Sequence, residues 1–311
     1  MLACRIAVVP RTSDAALLRG MHGALGRALA LLALASVGIL LSRTLEMNGG
    51  HWHTLWRDTR LTLTMTHFGH AWWWRALAMA CAFWAWASRR RGVGPTWAIA
   101  IAIAVIALTR SETGHPADRG DFTPAVWIDW LHILAAGAWV GSLFGMTTAV
   151  FPRLLREGED SLENAAATFQ RLSTLSGIAL AVLVACGVFN AIRQLGSFEP
   201  LWTSRYGVIL DAKLALVLAM IAIGAHNRHV KLPRLLACAG QPARRSRVSR
   251  WLPPRASASS PRDAAQVLRS CARAVLIESL LGVAVIGATA ALIHAMPPAD
   301  MPSMHDMHAG Q

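Results

Sequence analysis

Charge is scarce in this sequence. Asp, Glu, Lys and Arg make up 15% of the 311 residues and hydrophobic residues 54%, which excludes a single soluble domain of this length. Catalytic signatures are missing too. There is no phosphate-cradling glycine loop, hydrolase nucleophile arrangement or ATPase motif, so neither hydrolysis nor ATP-driven pumping is expected and the chain reads as a non-enzyme. The apolar runs do not alternate with period two, which excludes a porin-type barrel. The triplet Arg119-Gly120-Asp121 is set aside as coincidence.

What is present is long apolar sequence. A helix needs roughly 20 mostly apolar residues to cross the hydrocarbon core of a bilayer. Seven stretches qualify: about 24–43, 68–88, 95–110, 127–150, 172–192, 206–227 and 271–294. They predict an all-α polytopic transmembrane bundle of about seven spans. With the N-terminus cytoplasmic, 21 of the 30 Lys and Arg fall in inner segments and seven in outer ones, the bias of the positive-inside rule, so the C-terminus is expected in the periplasm. The chain then divides into a cytoplasmic segment 1–23, a transmembrane domain 24–298 and a periplasmic tail 299–311. The run at 24–43 is read as an uncleaved first helix. A basic loop at about 228–270, rich in Pro, Ser and Ala, is expected to be flexible and cytoplasmic. Its charge explains much of the net +13, and no nucleic-acid motif accompanies it, so its expected contact is the lipid bilayer and not nucleic acid.

This topology sorts the metal-ligating residues. Nine of the twelve His and six of the eleven Met fall at or near the outer face, whereas none of the five Cys lies in an outer loop. No disulfide framework is implied. Outside a bacterial inner membrane a thiol faces oxidation, whereas a thioether cannot form a disulfide and still binds a soft cation. Met with His therefore points to copper, Cu(I) above all. Met304, His305, Met307 and His308 place four donors within five residues and read as a copper-collecting tail.

Further candidates follow along the chain. His51 and His53 flank Trp52 after Gly49 and Gly50; they suit a metal site if a third ligand arrives from elsewhere, or an interfacial loop anchored by Trp52 and Trp56. His67 and His70 are three apart and share a helical face where the second span begins, ahead of Trp72, Trp73 and Trp74. In "WIDWLHILAAGAW", Asp129 and His132 share a face about a turn below the outer surface, and the carboxylate can orient or join the imidazole. His132 is the first ligand candidate. Arg75 and Lys213 lie within spans, where snorkelling is the simple expectation. Glu278 lies in the last span, where it is either an interhelix partner or part of a transport path.

These residues carry a resemblance. The stretches holding Thr66, Phe68, Gly69 and Arg75, then Gly114 and His115, then Asp129, His132, Trp139 and Gly141, then Tyr206, Gly207, Lys213, Asn227 and Arg228, and finally Glu278 before Pro297 and Pro298 resemble the CopD (PcoD) family of bacterial copper resistance membrane proteins. The resemblance runs from about residue 24 to 298. It implies an inner-membrane protein that moves copper from periplasm to cytoplasm, beside a periplasmic copper-binding partner of the CopC type. Members commonly begin with one more span, giving eight; a downstream gene start or a shorter variant would account for the seven read here. The expected ligands are His132, Asp129, His70, His67, His51, His53, His115 and the tail, with Glu278 on the path. The competing class is an electron carrier, in which His70 and His132 would be axial ligands of a b-type haem. A copper-binding sensor or accessory subunit that moves no metal is a third. Oligomeric state is not legible from the sequence.

Overall fold

The computed structural model of the chain describes residues 1–9, 15–88, 93–114, 117, 120–157, 162–195, 204–241 and 261–293. Among these residues every regular element is helical and no strand occurs. A segment surrounded by lipid must satisfy its backbone groups internally, and a helix does so. The main elements are α1 Ala15–Met47, α2 Leu55–Met65, α3 His67–Ala87, α4 Val93–Ser111, α5 Pro124–Gly145, α6 Phe151–Glu157, α7 Leu162–Leu195, α8 Arg205–His226, α9 Leu232–Cys238 and α10 Pro261–Ile293. π-helical turns, Met146–Val150 and Asn227–Lys231, join α5 to α6 and α8 to α9 without a break.

Each of the seven apolar runs lies in a helix. Five helices, Ala15–Met47, Pro124–Glu157, Leu162–Arg193, Arg205–Cys238 and Asp263–Leu292, are long and apolar enough to cross a membrane. The other two runs are α3, 21 residues carrying His67, His70, Arg75 and several Trp, and α4, whose apolar part Pro95–Ser111 is shorter. At about 1.5 Å per residue, helices of this length reach ~45–50 Å, well past a ~30 Å hydrocarbon core. They therefore continue into polar sequence, which corrects the reading of 228–270 as a loop: its first part is the π turn and α9, and α10 begins at Pro261. Large apolar side chains such as Leu34, Ile178, Ile192, Leu218 and Leu280 point outward with more than half their surface exposed. Lipid is the solvent that such a surface fits.

The chain forms two compact units, one of Met1–Leu2 with Asp14–Gly137 and one of Ala3–Ser13 with Ala138–Gln311. In the first, α3 and α4 pack along their length. Ala78, Ala82 and Ala85 form a stripe of small residues that lets Ile99, Ala102 and Ile106 approach closely. Tryptophans act here as ties as well as anchors. Trp72 Nε1 donates to Ser36 O at 3.3 Å, Trp86 Nε1 to His22 O at 2.9 Å, and Trp130 Nε1 to Ala104 O at 2.8 Å, joining α3 to α1 and α5 to α4. Trp86 also stacks on the His22 ring and lies directly over Gly26, where no side chain would fit. α2 turns into α3 at Thr66, whose Oγ1 accepts from Gly69 N at 3.0 Å. Gly69 sits against the backbone of Thr62 and Leu63, which leaves no room for a Cβ.

In the second unit, α8 and α10 run side by side, and α7 packs on α9 and on the short N-terminal π helix Cys4–Val8. Ser204 caps α8 by accepting from Gly207 N at 2.9 Å. Thr147, in the turn after α5, meets Ser279 of α10 with hydroxyl oxygens 3.0 Å apart.

Candidate functional site

In the first unit, one end of the bundle gathers the start of α3, the end of α4 and the approach to α5. His67, the first residue of α3, places Nε2 3.3 Å from Asp121 Oδ2, both side chains being about half exposed. Asp121 is presented by an irregular turn in which Gly120 and Phe122 both take positive φ, 118° and 56°. Glu112 follows α4 closely and shares this neighbourhood. Burial, reinforced by the negative charge of Asp121, pushes its carboxyl above the ordinary range, while His67 opposes the rise. Its Oε1 is buried with no hydrogen-bond partner. His67 and Asp121 together offer an imidazole and a carboxylate to a cation arriving from water.

One residue before Glu112, Ser111 lies 2.9 Å from Asp129 Oδ2 and 2.8 Å from Val126 O, so its hydroxyl is shared between them. Asp129 is thus held by α4, with His132 three residues on along α5 and half-buried. Arg75, read as a snorkelling side chain, is instead 2% exposed. Its Nε donates to Thr109 Oγ1 at 3.1 Å and its Nη2 to Thr109 O at 2.9 Å and Thr113 Oγ1 at 3.3 Å.

His51 and His53 meet edge to face with ring centroids 5.6 Å apart. His51 Nδ1 lies 2.5 Å from Asn48 O, and since a carbonyl only accepts, Nδ1 carries the proton and Nε2 the lone pair. Asn48 organises the turn: its Oδ1 accepts from Gly50 N and His51 N, and its Nδ2 donates to Asp58 Oδ2 at 2.9 Å. Hydrogen bonds from Thr54 and Asn48 hold the half-buried Asp58 carboxyl below its ordinary range, with a smaller push from Arg57. His70 is exposed on α3. His115, Met304, His305, Met307 and His308 lie outside the described residues. No three His, Cys, Asp or Glu among the described residues converge as a metal cage. The pairs His67 with Asp121 and His51 with His53 are what the fold brings together.

The second unit holds a separate feature. Asn227 Nδ2 donates to Glu278 Oε1, and both residues are buried, 5% and 4% exposed. The π turn that begins at Asn227 alters the helical register just where its side chain must reach α10, a use to which such turns are often put. Glu112 and Asp121 escaped the sequence reading. The usable signal was that three of only 17 acidic residues, Glu112, Asp118 and Asp121, fall in the short segment around His115.

A family model described as copper resistance protein D matches residues 166–292, and one described as copper resistance protein D-like, N-terminal domain, matches residues 1–123. The chain belongs to the copper resistance protein D family. The N-terminal match takes in His51, His53, His67, His70, Glu112 and Asp121, and the other takes in Asn227 and Glu278. Asp129, His132 and Trp139 fall between them.

Copper resistance protein D of Pseudomonas syringae pv. tomato is 28% identical over 208 residues, 65% of this chain and 66% of that protein. Copper transport protein CutJ of Bacillus subtilis is 28% identical over 120 residues, 39% of this chain and 22% of that protein. Inner membrane protein YebZ of Escherichia coli is 31% identical over 105 residues, 34% of each. The chain thus spans between about a fifth and two-thirds of the length of these relatives. No solved structure matches it. As a member of this copper resistance family with five helices long and apolar enough to cross a membrane, it is a multi-pass inner-membrane protein.

Proposed function

We propose that this copper resistance protein D family member takes up copper at its periplasmic face and moves it across the inner membrane, with copper as cargo and no catalytic step. The observation that carries this reading is the meeting of His67 with Asp121, with Glu112 in the same neighbourhood, at one end of the first unit. In the topology we propose, all seven apolar helices span, the N-terminus is cytoplasmic and the C-terminus periplasmic, so this end faces the periplasm. His51, His53 and the Met/His tail lie on the same side and supply weak sites from which an ion is passed on. Asp129 and His132, a turn into α5, are the next donors, and Glu278 continues the path. A periplasmic copper-binding protein of the CopC type would deliver the ion.

The test is cellular copper content under copper supplementation, with the intact protein and with His67→Ala, Asp121→Asn and His132→Ala. The intact protein raises copper content, and each variant lowers the rise at equal membrane abundance. Wild-type accumulation in all three variants would refute the assignment of these residues. The same content with and without the protein would refute uptake itself.

A further inference from the structure

We propose that the second unit contains its own Cu(I) site, built from Met220, Asn227, His229 and Glu278. This deepens the transport reading and rests on it for its biological meaning, though not for its chemistry.

A cavity of about 180 Å³ opens among α7, α8, the Asn227–Lys231 turn and α10, and all four residues line it, together with Trp139. That volume accommodates an ion with one or two waters. Three features of its wall point to a cation. First, Glu278 is a buried carboxylate 4% exposed, and among the described residues it forms no ion pair; its one recorded hydrogen bond comes from the neutral amide of Asn227. A buried carboxylate with no direct ion pair is costly, and a bound cation offsets that cost.

Second, the same amide leaves its oxygen unused. Asn227 Oδ1 is buried without a hydrogen-bond partner, so a neutral oxygen donor stands beside the carboxylate. Buried acceptors of this kind are rare enough to need a reason, and an ion is one of the recognised reasons. Third, the lining adds the thioether of Met220, itself 1% exposed, and the imidazole of His229. Hard alkali and alkaline-earth ions have no use for sulfur, whereas Cu(I) does. The indole N–H of Trp139, also buried and unpartnered, is a donor of the right kind to hold a carboxylate oxygen in place.

Two cations stand close: Arg228, which also lines the cavity, donates through Nη1 to Ser173 O at 3.1 Å, and Lys231 donates through Nζ to Ser270 O at 2.9 Å, so among the described residues neither forms a direct ion pair with Glu278. Along α10, Glu278 is followed toward the helix start by Val275 and Cys271, all three buried at i, i−3 and i−7. That stripe runs toward the end which the proposed topology places in the cytoplasm.

The experiment is a Cu(I) titration of the full-length protein in detergent under anaerobic conditions, read by competition with a chromogenic Cu(I) chelator. Glu278→Gln keeps the shape of the side chain and removes its charge; Met220→Leu preserves volume and removes only the sulfur. Each should release one equivalent of tightly held Cu(I) relative to wild type, while His67→Ala leaves that equivalent in place. Thermal unfolding of each variant checks the fold, and Met220→Leu decides should Glu278→Gln not fold. If both folded variants bind as many equivalents as wild type with the same affinity, the inner site is refuted, and copper accumulation by wild-type cells would leave the transport reading standing. If the equivalent is lost but wild-type cells accumulate no copper, the site stands and the transport reading falls.

Discussion

Arg75→Met should leave the protein as stable as wild type, or more stable, while abolishing copper accumulation. The first half follows from what Arg75 touches. Its acceptors are Thr109 Oγ1, Thr109 O and Thr113 Oγ1, and each has another partner. Thr109 O also accepts from Thr113 Oγ1 at 2.9 Å, and Thr109 Oγ1 donates to Ile106 O at 2.9 Å. Removing the guanidinium therefore orphans no acceptor. Among the described residues no carboxylate lies within ion-pair distance of Arg75, so none is left as an uncompensated charge.

What the substitution removes is a cation buried to 2% exposure inside a membrane bundle. Replacing buried ionic groups with apolar ones of similar volume is neutral to stabilising by about 1–4 kcal/mol. The cost of placing an arginine at a bilayer centre, about 2.5–3.5 kcal/mol on insertion scales, has the same sign. The loss of accumulation is expected if the charge that the fold holds against this balance serves transport. The assay pairs thermal unfolding in detergent, followed by tryptophan fluorescence, with cellular copper content. A destabilisation of about 3 kcal/mol or more would mean that Arg75 is structural, because that is the scale of breaking a buried pair. Undiminished accumulation would refute the functional half.

Other outcomes can be checked on the same preparations. Gly69→Ala forces a Cβ into the backbone of Thr62 and Leu63 and should cost about 1–3 kcal/mol of thermal stability. Trp86→Phe keeps an aromatic ring but loses the hydrogen bond to His22 O, with an expected cost of about 1 kcal/mol in the same melt. The Glu112 carboxyl is raised above its ordinary value of 4.5, so the folded state favours its protonated form. Stability should therefore fall as pH rises from 4.5 through the raised value, and Glu112→Gln should remove that dependence from the melting profile. Asp58 is held below its ordinary 3.8, so its contribution is present above that pH and is lost as pH falls through the folded value. Amide exchange in the Asn48–Thr54 turn should accelerate in that acid window, and Asp58→Asn should flatten the response.

Much of the fold was legible because lipid imposes one rule on every span, and the runs at 24–43 and 206–227 follow it plainly. α2 was not legible: Leu55–Met65 mixes Trp56, Arg57, Arg60 and Leu61 and shows no single apolar run. Helix ends were read too short wherever a helix outlasts the membrane, as at Leu162 and Pro261. π turns leave no trace in hydrophobic periodicity, so the inward reach of Asn227 could be suspected only from family resemblance. Whether Arg75 snorkels outward or turns toward Thr109 is not legible from the length of its side chain. In the candidate site, His67 was readable as a ligand type, but its partner Asp121 was not. That pairing depends on the turn through Gly120 and Phe122, which brings residues 54 positions apart to within 3.3 Å.

The most direct test of the central claim is copper flux into liposomes reconstituted with the purified full-length protein, metal content and visible spectrum being recorded on the same sample. Copper entry that depends on the protein, without a Soret band, and that is lost in both His67→Ala and Glu278→Gln is the predicted result. A folded protein that passes no copper, or one that carries haem and little copper, would contradict it.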